Sequence, residues 1–150
     1  MWRDYLSGVT LHRTGVRPSE EVSRRMKAVR RRDTRPEVEV RRLLWKAGVR
    51  FRLCPRDLPG TPDIVNKRAR WAVFVHGCFW HGHRNCKLAT VPKSNSAFWK
   101  SKLAGNRSRD ARKALALRRL GYRVIVVWQC ALRDPEALVR RFSEAGVTKR

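Results

Sequence analysis

The sequence predicts an α/β domain in which a mixed central sheet is flanked by helices on both faces. Two observations support this fold class. Short apolar runs of strand length alternate with longer amphipathic stretches in the order α-α-β-β-β-loop-α-β-α. The chain has 150 residues, of which 42% are hydrophobic, which suits one domain with a modest core. No internal repeat, second domain or glycine-rich phosphate-binding loop interrupts this pattern.

The chain is expected to open with a flexible basic arm formed by residues 1–18, which lack hydrophobic periodicity and contain two glycines and a proline. The domain itself would span residues 19–150. Its first helix is predicted to begin near Ser19, with acidic residues in its first turn. Apolar residues at i, i+4 and i+7 form the predicted stripe of this helix: Val22, Met26 and Val29.

A second helix is predicted to begin at Thr34 and to end at Gly48. Its apolar stripe follows the i, i+3, i+4, i+7 pattern: Val40, Leu43, Leu44 and Ala47. Glu37 lies three residues before this stripe and therefore on the same inward side. Two interpretations of this acid remain open, a capping box with Thr34 or a carboxylate directed at a functional site.

Three strands are expected next, at residues 49–53, 63–66 and 70–75, with a proline-rich turn between the first two. Asp63 opens the second of these strands directly after a proline. An acid in that position is often only a turn residue. Here, however, Asp63 would enter the sheet beside the strand that leads to His76.

A long helix is predicted from residue 97 to residue 120, and Gly121 would stop it. Its apolar face would consist of five residues: Trp99, Leu103, Ala111, Ala114 and Leu115. Residues 122–128 form the most strand-like run of the chain and are expected to be buried. A last helix would begin with Asp134 as N-cap and Pro135 at its first position.

The charge balance is extreme, with 36 Lys and Arg residues against 12 Asp and Glu residues and a formal net charge of +24. Such an excess predicts a polyanionic partner, with nucleic acid favoured over a membrane surface. A basic proteome bias or a ribosome-associated role is the alternative. The N-terminus has no apolar signal-peptide core and the apolar runs are too short to span a bilayer, so we expect a soluble, intracellular protein.

Residues 75–86 hold three of the four histidines and two of the four cysteines. A local set of metal donors follows the spacing C-x4-H-x2-C: Cys78, His83 and Cys86. Cys130 could close a tetrahedral Cys3His zinc site that orders this loop. The alternative is that Cys86 and Cys130 are buried thiols. Cys54 is expected to be a plain thiol, because disulfides are rare in a reducing compartment.

His76 and His81 lie outside this donor set, and a phosphodiester is the expected substrate. Asp63 can ligate a hard divalent cation such as Mg²⁺, which stabilises phosphate charge and activates bound water. His81 is suited to deprotonate an attacking water, and His76 could act on the phosphate or the metal-bound waters. Glu37 could hold such a water from the second helix. Each assignment is weak alone, and their convergence near one strand end supports them together.

Phe79 and Trp80 are flanked by metal donors and are expected to project from a stiffened loop, with Trp99 at the start of the long helix. Apolar side chains of this kind can insert between base pairs, at the lowest cost beside a mismatch. The alternative is that these three residues belong to the core, where three other aromatic residues are expected: Trp71, Phe98 and Trp128.

Four runs of the sequence, within residues 20–133, resemble the very-short-patch-repair mismatch endonucleases in colinear order: SRRM at 23–26, LPGTPD at 58–63, HGCFWHGH at 76–83 and VWQCAL at 127–132. The resemblance implies a restriction-endonuclease-like fold with a structural zinc ion. It also implies Mg²⁺-dependent nicking of DNA 5′ to the thymine of a T:G mismatch, which arises when 5-methylcytosine deaminates.

The resemblance also implies roles for individual residues. Asp63 would bind Mg²⁺, with the backbone carbonyl of Val75 as a further candidate ligand. The remaining catalytic residues would be His81, His76 and Glu37, which favours the functional interpretation of Glu37. The zinc ligands would be Cys78, His83, Cys86 and Cys130, and the DNA-intercalating residues would be Phe79, Trp80 and Trp99.

The sequence departs from the family pattern in the spacing from His83 to Cys86, which is one residue longer than the usual His-x-Cys, and at Gln129, where an acid is common. We therefore expect a cytoplasmic, nucleoid-associated monomer that acts on double-stranded DNA, with mismatch-repair proteins as candidate partners. The alternatives are a related nicking endonuclease with different or relaxed specificity, and a non-catalytic DNA-binding module. A binding module would need neither Asp63 nor His81.

Overall fold

The structure, a computed structural model, describes Arg24 and residues 32–93 and 95–148. The expected N-terminal arm and, apart from Arg24, the helix predicted from Ser19 lie outside the described residues. The described elements are, in chain order, helix α1 (Arg35–Lys46), strands β1 (Arg52–Leu53), β2 (Ile64–Asn66) and β3 (Trp71–His76), a 3-10 turn (Lys87–Ala89), helix α2 (Ser96–Arg119), strand β4 (Arg123–Trp128), a second 3-10 turn (Gln129–Arg133) and helix α3 (Pro135–Glu144).

The four strands form one mixed sheet in the order β1-β2-β3-β4. β2 pairs antiparallel with both β1 and β3, whereas β3 and β4 run parallel, joined by a connection that contains α2. This parallel pair is in register from Trp71 opposite Arg123 to His76 opposite Trp128. The predicted mixed sheet is confirmed, and the parallel pair brings two strand ends to the same edge.

Helices cover both faces of the sheet, as predicted. Successive residues of a strand point to opposite faces. Val73 and the other odd-numbered residues of β3 pack in a core cluster with residues of α1 and α3. Phe74 packs on the opposite face in a cluster that includes Leu117 of α2. By the same alternation, His76 lies on the α2 side of the sheet.

The predicted ends of the helices are also present. Gly48 follows α1 with a φ of 71°, and Gly121 follows α2 with a φ of 80°; glycine adopts this left-handed conformation without steric cost. At the start of α3, the Asp134 side chain accepts a hydrogen bond from the Ala137 N–H at 2.9 Å. The local sequence signals therefore fix where these helices begin and end.

The predicted apolar face of α2 is partly wrong. Ala111 and Leu115 are exposed, whereas the helix buries Trp99, Leu103, Ala114 and Leu117. The prediction failed because it followed apolar residues alone. Two half-buried polar positions lie between the buried apolar residues on this face, and they are part of the candidate site described below.

Two further expectations need correction. Phe98 is 39% exposed rather than part of the core, because it lies on the outer side of the first turn of α2. Trp71 is buried as expected, and Trp128 is half-buried. The first strand is shorter than predicted, with only Arg52 and Leu53 paired in the sheet.

Among the described residues, none of the helices combines the length and the apolar character that crossing a lipid bilayer requires.

Candidate active site and metal centre

The catalytic candidates meet at the end of the sheet where β3 stops. His76 is the last residue of β3. Asp63 immediately precedes β2, and because β2 runs antiparallel to β3, its side chain reaches the same end. The Oδ2 atom of Asp63 accepts a hydrogen bond from the Val75 N–H at 2.7 Å. The two residues expected to bind a catalytic metal, Asp63 and Val75, are therefore in contact.

The surroundings of Asp63 disfavour its ionised form. Burial raises the pKa of Asp63 to about 6; the Val75 N–H lowers the pKa, the charge of Glu37 raises it, and the charges of Arg41 and His81 lower it. A half-buried carboxylate beside a second acid is an oxygen donor whose charge a divalent cation would stabilise. The donor chemistry at Asp63 therefore fits a hard cation.

Glu37 does not form the capping box that its spacing allows, because the Thr34 side chain makes no capping hydrogen bond to the helix. It is 5% exposed in the first turn of α1. Its Oε1 accepts a hydrogen bond from the Thr34 hydroxyl at 2.8 Å, and its Oε2 accepts one from the Asp33 N–H at 3.0 Å. Both contacts hold the Glu37 carboxylate against the segment that leads into α1. Glu37 is also close enough to Asp63 for its charge to raise the pKa of that carboxyl.

The two candidate catalytic histidines stack face to face. The ring centroids of His76 and His81 are 3.9 Å apart, and the ring planes differ by 6°. Trp128 packs edge-on against His76 at 5.3 Å. Burial, followed by the charge of His81, lowers the pKa of His76 to about 4. His76 is therefore uncharged at neutral pH and can donate or accept a hydrogen bond.

Asp110 of α2 completes this cluster, although the sequence analysis did not identify it. Its Oδ2 lies 2.6 Å from Nδ1 of His81. Burial raises the pKa of Asp110, but the hydrogen bond and the charge of His81 outweigh burial, so the pKa is lowered overall. An ionised carboxylate only accepts hydrogen bonds. The proton of a neutral His81 is therefore held on Nδ1, and Nε2 is left as an acceptor.

The sequence does contain a pattern that identifies Asp110. Its position continues the buried stripe of α2 in steps of three and four residues, and it is an acid on a strongly basic helix. Asn106 lies on the same stripe and donates a hydrogen bond to the backbone carbonyl of Trp80 at 2.6 Å. The complete stripe is Trp99, Leu103, Asn106, Asp110, Ala114 and Leu117. α2 therefore supports the loop after β3 with polar groups as well as apolar ones.

The four predicted zinc ligands come together beside this cluster: Cys78, His83, Cys86 and Cys130. Their donor atoms all lie within 4.8 Å of one another. The His83 ring stacks on Trp128 with centroids 4.2 Å apart. Three sulfur atoms and one imidazole nitrogen at this separation form the donor set of a closed tetrahedral metal site. Cys54 lies outside the set.

The longer spacing between His83 and Cys86 does not separate the donors. Asn85, inside this spacing, has a φ of 54°. Asparagine adopts this left-handed conformation more readily than most residues with a side chain. The additional residue is therefore absorbed in a tight turn, and all four donor atoms remain within 4.8 Å of one another.

The three candidate intercalating residues form one aromatic cluster. The Phe79 ring contacts Trp80 at 5.1 Å and Trp99 at 5.2 Å, in both cases edge to face. Phe79 and Trp80 are half-buried, whereas Trp99 is 6% exposed. Phe98 packs against Trp99 at 5.4 Å and extends the cluster toward solvent. Phe79 and Trp80 are thus neither fully exposed nor part of the core.

The sequence of the chain is similar to those of known DNA endonucleases and nicking enzymes. The family model described as DNA mismatch endonuclease Vsr matches residues 16–88. A type II nicking enzyme of Xanthomonas oryzae, V.XorIIP, is 54% identical over 116 residues, which cover 77% of this chain and 85% of that protein. The DNA mismatch endonuclease Vsr of Escherichia coli is 44% identical over 116 residues, covering 77% of this chain and 74% of that protein. The type II nicking enzyme V.NmeAIP of Neisseria meningitidis is 41% identical over 109 residues, covering 73% of this chain and 77% of that protein.

Proposed function

The chain belongs to the Vsr family of DNA mismatch endonucleases, and from this membership we propose that it nicks duplex DNA 5′ to the thymine of a T:G mismatch. It is a DNA endonuclease, and the finer proposal concerns its substrate and its metals. The observation that carries this proposal is the meeting of Asp63, His76, His81 and Asp110 at one sheet end, in a structure that also holds the half-buried aromatic cluster of Phe79 and Trp80. A module that only binds DNA would not need these residues there.

Asp63 would hold Mg²⁺, with the Val75 carbonyl as a further candidate ligand. When bound, the cation would neutralise developing charge on the phosphate and lower the pKa of a coordinated water. Asp63 is suited to this task because the Val75 N–H fixes its Oδ2. Glu37 is close enough to Asp63 for its charge to act on that carboxyl. It would orient a water molecule by accepting a hydrogen bond from the water O–H.

His81 would accept the proton of the attacking water at Nε2, because the hydrogen bond to Asp110 holds a proton on Nδ1. Asp110 would then stabilise the imidazolium that forms, as an acid does beside a catalytic histidine. His76 would remain neutral and hydrogen-bond the scissile phosphate or a water. Its stacking contact with His81 would also restrict the orientation of the His81 ring.

Phe79 and Trp80 would enter the base stack beside the mismatch, with Trp99 as their support. Unstacking a base step costs a few kcal/mol, and a wobble pair lowers that cost, so an apolar wedge favours a mismatch over a matched site.

The cluster of Cys78, His83, Cys86 and Cys130 would bind a structural Zn²⁺ ion. This ion would hold the loop that carries both the wedge and His81.

We expect Asp110→Asn to slow nicking by about 10- to 100-fold without weakening DNA binding, a loss typical of residues that orient a catalytic group. The amide cannot provide the negative charge that stabilises protonated His81. Single-turnover rates on a T:G duplex, together with equilibrium DNA binding, measure the two effects. Glu136→Gln removes an exposed acid from α3 and serves as the matched control. Equal rates for Asp110→Asn and the wild type would contradict the proposed role.

A nicking assay on one duplex sequence with T:G, C:G or T:A at a single position tests the proposed substrate. We expect cleavage 5′ to the mispaired thymine, roughly 10- to 100-fold faster than any cleavage of the matched duplexes, as the energy of one base mismatch allows. Equal nicking of all three duplexes would favour the second candidate function, a nicking enzyme of relaxed specificity. The names of two relatives as type II nicking enzymes support nicking as the reaction in either case.

A further inference from the structure

Arg41 of α1 is a cation enclosed by acids at the side of the site where Asp63 lies. Its side chain is 13% exposed. One guanidinium nitrogen contacts Oδ1 of Asp33 at 2.5 Å, and the other donates a hydrogen bond to Oε2 of Glu37 at 3.1 Å. Its Nε is buried and makes no hydrogen bond within the part of the chain that the structure describes.

This burial requires a physical explanation. An arginine that loses most of its hydration is destabilising unless charged partners compensate. The partners here are the buried carboxylate of Glu37 and the exposed carboxylate of Asp33, and little of the guanidinium between them is accessible to a DNA phosphate. Arg42, the next residue, is exposed and shows how an arginine on this helix can remain solvated.

We propose that Arg41 is a positioning residue that fixes the Glu37 carboxylate in its working orientation, an inference that rests on the proposed function. The Glu37 carboxylate accepts from three donors, namely the Thr34 hydroxyl, the Asp33 N–H and the Arg41 guanidinium. The first two donors belong to a chain segment at the start of a helix. Arg41 belongs to the next helical turn. Its guanidinium prevents the Glu37 carboxylate from rotating away from the two donors in that segment.

The positive charge of Arg41 also acts on Asp63, the acid next to Glu37. It lowers the pKa of Asp63 and opposes the effect of the Glu37 charge, which raises that pKa. The guanidinium thus reduces the repulsion between the two carboxylates.

The test compares Arg41→Met, Arg41→Lys and the matched control Arg42→Met. We expect Arg41→Met to lower the single-turnover nicking rate by about 10- to 100-fold, the range typical of residues that orient a functional group, with less than about a twofold change in DNA affinity. Arg41→Lys should recover part of the rate, because lysine keeps the charge but not the two-point contact. Arg42→Met should leave the rate unchanged.

Two further measurements separate positioning from a general effect. In a Glu37→Gln background, Arg41→Met should lower the rate by less than about twofold, because the group that it positions is already altered. In protein free of DNA and divalent metal, Arg41→Met should weaken the hydrogen-exchange protection of the Asp33 amide by at least about threefold, since its acceptor on Glu37 is released.

Equal losses in Arg41→Met and Arg42→Met would overturn the inference, because they would indicate a general contribution of positive charge to DNA binding. An undiminished effect of Arg41→Met in the Glu37→Gln background would also overturn it, as would wild-type activity in Glu37→Gln. Should the wild type cleave no DNA, the proposed function fails. The Asp33 amide would then still show whether Arg41 holds the Glu37 carboxylate. Arg41→Lys provides the same comparison if Arg41→Met does not fold.

Discussion

Asp63→Asn is expected to lower nicking by about 10³-fold or more, because the metal that Asp63 would bind contributes several kcal/mol to stabilising the transition state. Asparagine keeps an oxygen that can accept from the Val75 N–H but lacks the charge that binds a divalent cation. The rate is measured under single-turnover conditions on a T:G duplex. Asp57→Asn, which alters an exposed acid in the preceding turn, is the matched control and should retain activity.

The same substitution should not destabilise the metal-free fold. The pKa of Asp63 is about 6 in the folded chain, above its ordinary value of 3.8, so the folded state binds the proton more tightly than the unfolded state. Protonated Asp63 therefore stabilises the folded state fully below about pH 4, and this stabilisation is lost as the pH rises through 6. At pH 8 the asparagine variant should therefore be more stable than the wild type by roughly 1–3 kcal/mol. Thermal unfolding at pH 5 and pH 8 without divalent metal measures this difference.

Two outcomes would contradict these expectations, one for the mechanism and one for the fold. If Asp63→Asn retained its nicking rate, the proposed mechanism would be wrong. If it lost activity but unfolded at a lower temperature than the wild type at pH 8, the loss would reflect damage to the fold rather than loss of a metal ligand.

Loss of the zinc ion that the Cys3His cluster would bind, by chelation or by Cys130→Ser, is expected to disorder residues 77–93 and to reduce nicking by at least about 100-fold, because a structural zinc site contributes its binding free energy to folding. The sheet should persist, because its apolar clusters do not depend on the metal donors. Hydrogen exchange of the loop and of β3, together with metal content, measures the two regions separately.

Cys54→Ser is the matched control for the metal site, since Cys54 is a free thiol outside the donor cluster. It should retain zinc and the protection of the loop. Unchanged loop protection after complete removal of zinc would contradict the structural role of the ion. Loss of the sheet together with the loop would mean that the ion stabilises the whole fold.

Much of the fold could be predicted because its signals are local. Gly48, Gly121 and Asp134 end or begin helices through conformations and hydrogen bonds set by neighbouring residues. The donors of the Cys3His cluster could be proposed because three of them lie within nine residues of sequence, at Cys78, His83 and Cys86. The mixed sheet followed from the order of the elements.

Asp110 and Arg41 were not predicted, for two different reasons. The partner of Asp110 is distant in sequence, and Arg41 is one of many arginines that the sequence presents only as positive charge. Asp110 contacts His81 across 29 positions of the chain. That contact depends on how α2 packs against the loop, which hydrophobic periodicity does not determine. Arg41 belongs to a helix rich in arginine, and the sequence alone does not distinguish it from Arg42. Their roles depend on burial, which only tertiary packing decides.

The parallel register of β3 and β4 determines where the chain can change in length. The two strands are paired residue for residue up to His76 and Trp128. An insertion within either strand would move the following side chains of that strand to the opposite face, and in β3 it would carry His76 away from α2. The loop after β3 has no such ladder, and Asn85 forms a tight left-handed turn within it. Variation in length among homologous sequences should therefore be confined to such turns, while the strands keep a constant length.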